Sequence, residues 1–216
     1  MSAASNAGRV GVWGASGSGK SSYVKAALDK RRRVVVFDPQ AEYPGKRLGS
    51  LESVRREMRV NWSSFRISYT PPPGKEAQAL SGLCRLLLAA QRPFKETGRG
   101  APLVLVVEEM NLSFPVAGGS AKCPGFAEIC SRGRHYGIET WGVSQRIAEV
   151  ETRFRGNCTE TVVFRQKGHR DQAAAAQELG ARPAYLPKEN LVYVVERSGK
   201  LKSGKLKFVK NRPKII

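Results

Sequence analysis

The sequence predicts an α/β domain in which helices flank a mostly parallel central sheet. Short apolar runs alternate along the chain with stretches of helical periodicity, the order that a parallel sheet covered by helices requires. The run at 102–110 is nearly all apolar until its acidic end, as expected of a central strand buried on both faces. A length of 216 residues suits one core. We therefore expect a single domain over 1–216, with a basic C-terminal tail from about 197.

The individual elements follow from local patterns. Runs of β-branched and other apolar residues predict strands at 9–13, 31–38, 64–70, 102–110, 138–145, 160–166 and 190–197. Helical spacing of apolar residues, or alanine-rich composition, predicts helices at 21–30, 50–60, 76–92, 125–136 and 170–179. The stretch that follows the acidic end of the fourth strand is rich in Gly, Ser and Pro, which indicates a loop.

The stretch GVWGASGSGKSSYV at 11–24 joins the first strand to the first helix and fits the phosphate-loop pattern GxxxxGK[ST]. Glycines let successive backbone N–H groups turn toward phosphate, and the helix beginning near Lys20 adds its positive end. We expect Lys20 to reach the β and γ phosphates of ATP and the Ser21 hydroxyl to ligate Mg²⁺. The expected ATP-binding residues are Gly14, Gly17, Ser18, Gly19, Lys20, Ser21 and Ser22.

Two acids, Glu108 and Glu109, end the buried fourth strand. Charge at such a position is energetically costly unless it is paired or serves a functional site. At the carboxyl end of a strand beside a phosphate loop, one acid can hold the metal and the other can orient the attacking water. Adjacent side chains on a strand point opposite ways, so the two cannot share one role. We assign Glu108 to the metal shell and Glu109 to water activation.

Four stretches in this order resemble the FtsK–HerA clade of RecA-like P-loop ATPases, which pump DNA or related polymers. They are GASGSGKSS, VVVFDPQAEYP, LVLVVEEMN and SRGRHYGIETWGVSQR, within residues 9–166. The second stretch matches the acidic, proline-containing turn of the clade at Asp38, Pro39 and Glu42. One departure is Glu108, since the first acid at that position is usually Asp.

The resemblance implies further site residues. Gln145 matches the polar residue that senses the γ-phosphate or its water. The clade forms homo-oligomeric rings, usually hexamers, in which an arginine of one subunit reaches the neighbour's nucleotide, and Arg132 and Arg134 match the region of that arginine. The rivals for this role are Arg146, Arg153 and Arg155. We expect a hexameric or pentameric ring.

In its compact length the chain resembles the genome-packaging ATPases of tailless, membrane-containing double-stranded DNA viruses. That resemblance implies double-stranded DNA as the substrate and a capsid or portal-vertex protein as a further partner. The charge agrees, because 37 Lys and Arg against 18 Asp and Glu give a net charge of +19, which attracts polyanions. No run approaches the roughly 18 apolar residues of a membrane span. We expect a cytoplasmic protein, in the host cytoplasm and at a packaging vertex of the virion if the source is viral.

Other functions fit parts of the pattern. A cellular or mobile-element DNA translocase and a filamentous-phage-type assembly ATPase would share all four stretches. A small-molecule kinase would share the phosphate loop but would need an acceptor pocket and a lid with arginines. A non-catalytic assembly factor would bind ATP without turnover. ATP hydrolysis that needs no acceptor and responds to duplex DNA separates the motor from the last two.

Overall fold

The computed structural model describes residues 7–209 and 212–215. Within these residues ten strands form one sheet, in the order β10-β9-β8-β7-β1-β6-β5-β2-β4-β3. The strands are β1 (Arg9–Trp13), β2 (Arg33–Phe37), β3 (Lys46–Leu48), β4 (Phe65–Tyr69), β5 (Leu103–Val107), β6 (Ile138–Ser144), β7 (Glu160–Phe164), β8 (Val192–Arg197), β9 (Lys200–Val209) and β10 (Arg212–Ile215).

Nine α-helices lie in the same described ranges. They are α1 (Lys20–Ala27), α2 (Leu51–Val60), α3 (Glu76–Ala90), α4 (Arg92–Thr97), α5 (Met110–Ser113), α6 (Gly119–Lys122), α7 (Pro124–Arg132), α8 (Thr152–Arg155) and α9 (His169–Leu179). A 3₁₀ turn, Gly133–Tyr136, follows α7 and completes the segment predicted as one helix at 125–136.

The seven strands from β7 to β3 along the sheet are parallel, and β8, β9 and β10 extend it as antiparallel neighbours. The central strands are buried on both faces, which explains their continuous apolar sequences. In β2, Val34 and Val36 belong to the core on the α1 side, whereas Val35 and Phe37 belong to the core on the other side. Because parallel strands end at one edge, every segment that follows such a strand emerges there.

Several predicted boundaries were wrong. The strand predicted at 102–110 ends at Val107, and Met110 already begins α5. The helix predicted at 76–92 ends at Ala90, and a second helix with a proline in its first turn begins at Arg92. The largest correction concerns the region from 197. Its described part forms β9 and β10, because the turn residues Ser198 and Gly199 adopt positive φ and fold the chain back on β8.

Candidate functional site

The loop between β1 and α1 has the backbone of a phosphate cradle. Gly17 and Gly19 adopt φ of 71° and 114°, a region that favours glycine. The loop is tied to the carboxyl ends of the neighbouring strands, since the Gly14 amide donates to the Ser144 carbonyl at 3.3 Å and the Ala15 amide donates to the Arg165 carbonyl at 2.8 Å. The first amides of α1 have no intrahelical partner and point along the helix axis toward this loop.

Lys20 lies at the start of α1 with its side chain in the same cleft. It is 7% exposed, and its Nζ donates to the Ala15 carbonyl at 3.1 Å. Burial lowers the pKa of Lys20, and the charges of Glu108, Glu109 and Glu42 partly oppose that shift. The fold therefore places the Lys20 amine at the loop beside acids whose charges favour its protonated form.

The two acids do not lie on the strand, so the predicted alternation of their side chains does not apply. β5 ends one residue before Glu108, and Glu109 adopts a left-handed conformation with φ of 43° at the start of α5. This turn directs both carboxylates into one cleft. A positive φ is unfavourable for a glutamate and is typically retained where function requires the geometry.

Glu108 is nearly buried and sits in a network of hydroxyl donors. Its Oε1 accepts hydrogen bonds from Tyr43 Oη at 2.5 Å and from Ser21 Oγ at 3.1 Å. Burial raises the pKa of Glu108, and the bonds from Tyr43 and Ser21 oppose the rise. The extra methylene of Glu relative to Asp therefore does not carry the carboxylate out of reach of Ser21.

The oxygens of Ser21 and Glu108 fit a magnesium ion. Mg²⁺ prefers oxygen ligands at about 2.0–2.1 Å in an octahedron, so two adjacent ligand oxygens stand about 3 Å apart. The separation of Ser21 Oγ and Glu108 Oε1 is 3.1 Å. The donor set also matches that preference, because a hydroxyl and a carboxylate are both hard oxygen ligands.

Gln145 follows β6 and contacts the second acid. Its Nε2 donates to Glu109 Oε1 at 2.5 Å. The strand end that carries Gln145 is fixed in turn, since Ser144 Oγ donates to Asn111 Oδ1 at 2.8 Å and accepts from the Arg146 amide at 3.0 Å. Glu109 and Gln145 thus form a hydrogen-bonded pair at the ends of β5 and β6.

The acidic turn after β2 carries Tyr43, a site residue that sequence reasoning missed. Asp38 is fully buried, and its carboxylate accepts from the amides of Glu42 and Tyr43 and from Ser68 Oγ. This cap folds the turn so that the Tyr43 hydroxyl reaches Glu108. The signal was the stretch DPQAEY, in which an Asp precedes the two residues whose amides it caps.

The cleft has a volume of about 610 Å³ and gathers most of the predicted residues. Its lining residues are Ser16, Gly17, Gly19, Lys20, Ser21, Ser22, Asp38, Gln40, Glu42, Glu108, Glu109, Gln145, Leu191 and Phe208. Of the remaining predicted loop residues, Gly14 approaches Ser18 so closely that a Cβ would lie 2.6 Å from Ser18 Oγ. Ser18 is buried, and its hydroxyl has no partner among the described residues. Sequence reasoning did not anticipate Leu191 and Phe208.

Arg132 and Arg134 lie outside this cleft. Both precede β6, whereas Gln145 follows it, and a strand of seven residues spans about 20 Å. Arg132 is paired with Glu128, and Arg134 lines a separate hollow at the amino ends of β1 and β6. Neither arginine can reach the cleft of its own chain. Of the other arginines considered for the role at a neighbour's nucleotide, Arg146 lies near the cleft, but its Nε is paired with Asp171 Oδ2 at 2.9 Å.

Comparison with known proteins identifies the fold. The genome packaging NTPase B204 from Sulfolobus turreted icosahedral virus 2, in complex with ATP-gammaS, matches with a TM-score of 0.71 at 15% identity, over 91% of this chain and 96% of that chain. VirB4 of Thermoanaerobacter pseudethanolicus matches with a TM-score of 0.67 at 11% identity, over 94% and 90%. EssC (ATPases 2 and 3) from Geobacillus thermodenitrificans matches with a TM-score of 0.61 at 10% identity, over 92% and 39%.

These matches confirm the predicted fold class, an α/β P-loop ATPase fold with a mostly parallel sheet. They also agree, at the level of fold, with the resemblance drawn from the four sequence stretches. No family model matches the chain, and no curated protein matches it. None of the helices in the described ranges has the length and apolar character needed to cross a lipid bilayer.

Proposed function

We propose that the protein is an ATP-driven motor that hydrolyses ATP and translocates double-stranded DNA. The observation that carries the proposal is the meeting of four separate sequence stretches in one cleft. The phosphate loop, the turn after β2, the acids after β5 and the glutamine after β6 all line it. A phosphate loop alone would serve many enzymes, whereas a paired glutamate and glutamine beside it favour activation of water.

Ser21 and Glu108 would hold Mg²⁺, which would neutralise charge on the β and γ phosphates. Lys20 would add a fixed positive charge at the same phosphates, in a setting where burial strengthens its effect. Tyr43 would keep the Glu108 carboxylate oriented through its short hydrogen bond.

Glu109 would accept the proton of the attacking water, and Gln145 would hold the Glu109 carboxylate in position through its amide. Removing a general base of this kind costs about 10²- to 10⁴-fold in rate. Glu109→Gln should therefore bind ATP but lose turnover. Glu96→Gln, at an exposed glutamate on α4, is the matched control and should leave the rate unchanged.

Double-stranded DNA is the polymer that the charge distribution favours. The net charge is +19, and Lys207 of β9 stands directly opposite Lys214 of β10. Like charges at directly opposed positions on antiparallel strands destabilise a sheet unless a polyanion neutralises them. A motor needs contacts to phosphate that tolerate any sequence, which lysines on an exposed strand can provide.

Arg132 and Arg134 support an oligomeric motor. Since neither reaches its own cleft, a role at a nucleotide requires a second copy of the chain. We propose a homo-oligomeric ring, hexameric or pentameric, in which Arg134 or Arg132 completes a neighbour's site. Charge supplied in this way stabilises the transition state of phosphoryl transfer.

The most specific form of the proposal is packaging of a viral genome into a preformed capsid, with a capsid or portal-vertex protein as partner. The similarity to a structure described as a genome packaging NTPase supports it. The work would then take place in the host cytoplasm and at a packaging vertex.

The test measures phosphate release and oligomeric state with and without duplex DNA. We expect acceptor-independent release that duplex DNA accelerates, and an assembly larger than a monomer. Mixing Glu109→Gln with Arg134→Ala subunits should restore part of the activity that each lacks alone, because one subunit then supplies an intact acid and the other an intact arginine. A monomer that releases phosphate only to a small-molecule acceptor would refute the motor.

A further inference from the structure

The nucleotide cleft continues past the phosphate loop onto an apolar wall that takes no part in the proposed hydrolysis. Its wall there consists of Leu191, just before β8, and Phe208 in β9. We infer that this wall is a platform for the nucleobase and that it holds the base by stacking, without reading its edge. The inference rests on the proposed function, because it requires the phosphate loop to bind a nucleoside triphosphate.

The strand order fixes which end of a nucleotide would face this wall. β1, which leads into the phosphate loop, lies between β6 and β7. The acids follow β5, two strands from β1 on one side, and Leu191 leads into β8, two strands from β1 on the other. With strands about 4.8 Å apart, β5 and β8 each lie about 10 Å from β1, on opposite sides of it. The γ-phosphate end belongs with the acids, so the base end points toward Leu191 and Phe208.

The length of β9 brings Phe208 over the loop. β8 pairs with β9 only between Lys200 and Lys205, and the next four residues continue past the start of β8. Because β9 runs in the same direction as the parallel strands, this extension lies at their carboxyl edge. Leu206 is buried there, and a Cβ at Gly19 would lie 3.1 Å from its Cδ1. Side chains two apart on a strand share a face, so Phe208 follows Leu206 along the cleft.

The wall is built and held in place. The Leu191 amide donates to the Ser18 carbonyl at 2.8 Å, and the Leu191 carbonyl accepts from the Leu206 amide at 2.8 Å. Leu191 itself has a φ of 66°, an unfavourable conformation for leucine that such bonds maintain. The phosphate loop and the two C-terminal strands are thus joined through one residue. Phe208 nevertheless remains 51% exposed and lines the cleft, so a planar ligand bound there can contact its ring.

The chemistry of this wall predicts little base selectivity. Both side chains are hydrocarbons, and the amide and carbonyl of Leu191 already have partners in the protein. Stacking on an aromatic ring tolerates every base, because every base has a π face. A site that rejects the wrong base strongly needs hydrogen bonds to the base edge.

The experiment compares binding of ATP, GTP and inorganic tripolyphosphate, each with Mg²⁺, by calorimetry on the full chain. Phe208→Ala should weaken ATP by at least about fivefold, the lower range for one stacked base, and leave tripolyphosphate unchanged. Phe208→Tyr should bind ATP as the wild type does. Val209→Ala, on the opposite face of the same strand, is the matched control and should bind both ligands normally.

The outcomes separate the two proposals. Wild-type protein that binds neither ATP nor tripolyphosphate overturns the proposed function and this inference together. Binding of both, with a loss below about fivefold for ATP in Phe208→Ala, overturns the platform alone. An equal loss for tripolyphosphate, a similar loss in Phe208→Tyr or a loss in Val209→Ala does the same, because each assigns the effect to the strand rather than the ring. Discrimination between ATP and GTP beyond about tenfold refutes stacking without edge readout.

Discussion

Replacing Tyr43 with Phe tests the network around Glu108 with a single atom. The change removes the hydroxyl that donates to Glu108 Oε1 at 2.5 Å and leaves the ring in place. The ring keeps its other contact, because Lys25 Nζ lies 5.0 Å from its centroid and a phenyl ring attracts a cation as well. The variant therefore removes a buried hydrogen bond to a carboxylate and keeps the shape of the side chain.

A hydrogen bond to a charged group contributes about 1.5–3 kcal/mol. The Ser21 hydroxyl still donates to the same oxygen at 3.1 Å, so we expect the lower half of that range, about 1.5–2 kcal/mol. With an m value of about 2–3 kcal/mol per molar urea, the unfolding midpoint should fall by about 0.5–1 M. Tyr69→Phe is the matched control, since the Tyr69 ring packs against Phe37 at 6.0 Å and lines no part of the cleft.

The pH dependence of the stability of Tyr43→Phe provides a second and more specific test. Burial raises the pKa of Glu108 and the Tyr43 bond lowers it, so Tyr43→Phe raises that pKa further. The bond stabilises the ionised carboxylate, and its contribution is lost as the pH falls through the pKa of Glu108 in the folded protein. The difference between variant and wild type should be largest near neutral pH and shrink in acid. If Tyr43→Phe lost the same free energy of unfolding at neutral pH and in acid, the hydrogen bond from Tyr43 to an ionised Glu108 would be refuted.

Three further changes probe the cleft and the packing that supports it. Glu108→Gln should raise the urea unfolding midpoint at neutral pH but not in acid. Burial raises the pKa of Glu108, so its charge lowers stability only above the ordinary pKa of a glutamic acid. The same variant should lose ATP hydrolysis by at least about 100-fold. Gly125→Ala should cost about 1–3 kcal/mol in urea unfolding, since its Cβ would lie 2.3 Å from the Ser81 carbonyl oxygen, whereas Gly49→Ala, which meets nothing within 4 Å, should cost little. Phe154→Ala should cost about 3–5 kcal/mol in the same assay, because that ring is fully buried.

The parts of the fold that the sequence predicted are those where local pattern and tertiary environment demand the same residues. β5 reads as a buried strand because both of its faces are covered, and its apolar run has no other explanation. The phosphate loop was equally readable, since Gly17 and Gly19 occupy conformations that other residues rarely adopt. Motif and geometry coincide at such positions.

The parts that could not be predicted depend on distant partners. The stretch DPQAEY indicates a capped turn at Asp38 but not the partner of Tyr43, whose role arises only when that cap folds the turn toward Glu108. β9 reads as a charged tail because four of its ten residues are lysines. It becomes a strand because it pairs with β8, and a sequence rich in exposed charges does not predict that pairing. Phe208 is placed at the cleft only by that pairing.

The cleft concentrates features that folding alone would remove. Lys20 and Glu108 are both nearly buried charges, and two non-glycine residues, Glu109 and Leu191, hold left-handed backbone beside them. Each such residue costs of order 1–3 kcal/mol in strain, and buried charge costs more unless it is paired. An apolar core of the same shape would be more stable, so the fold gives no reason to retain these groups. A bound triphosphate with its cation does give one, because it supplies the opposite charges to both groups at once. Buried charge and strained backbone thus indicate a nucleotide site independently of the sequence motif.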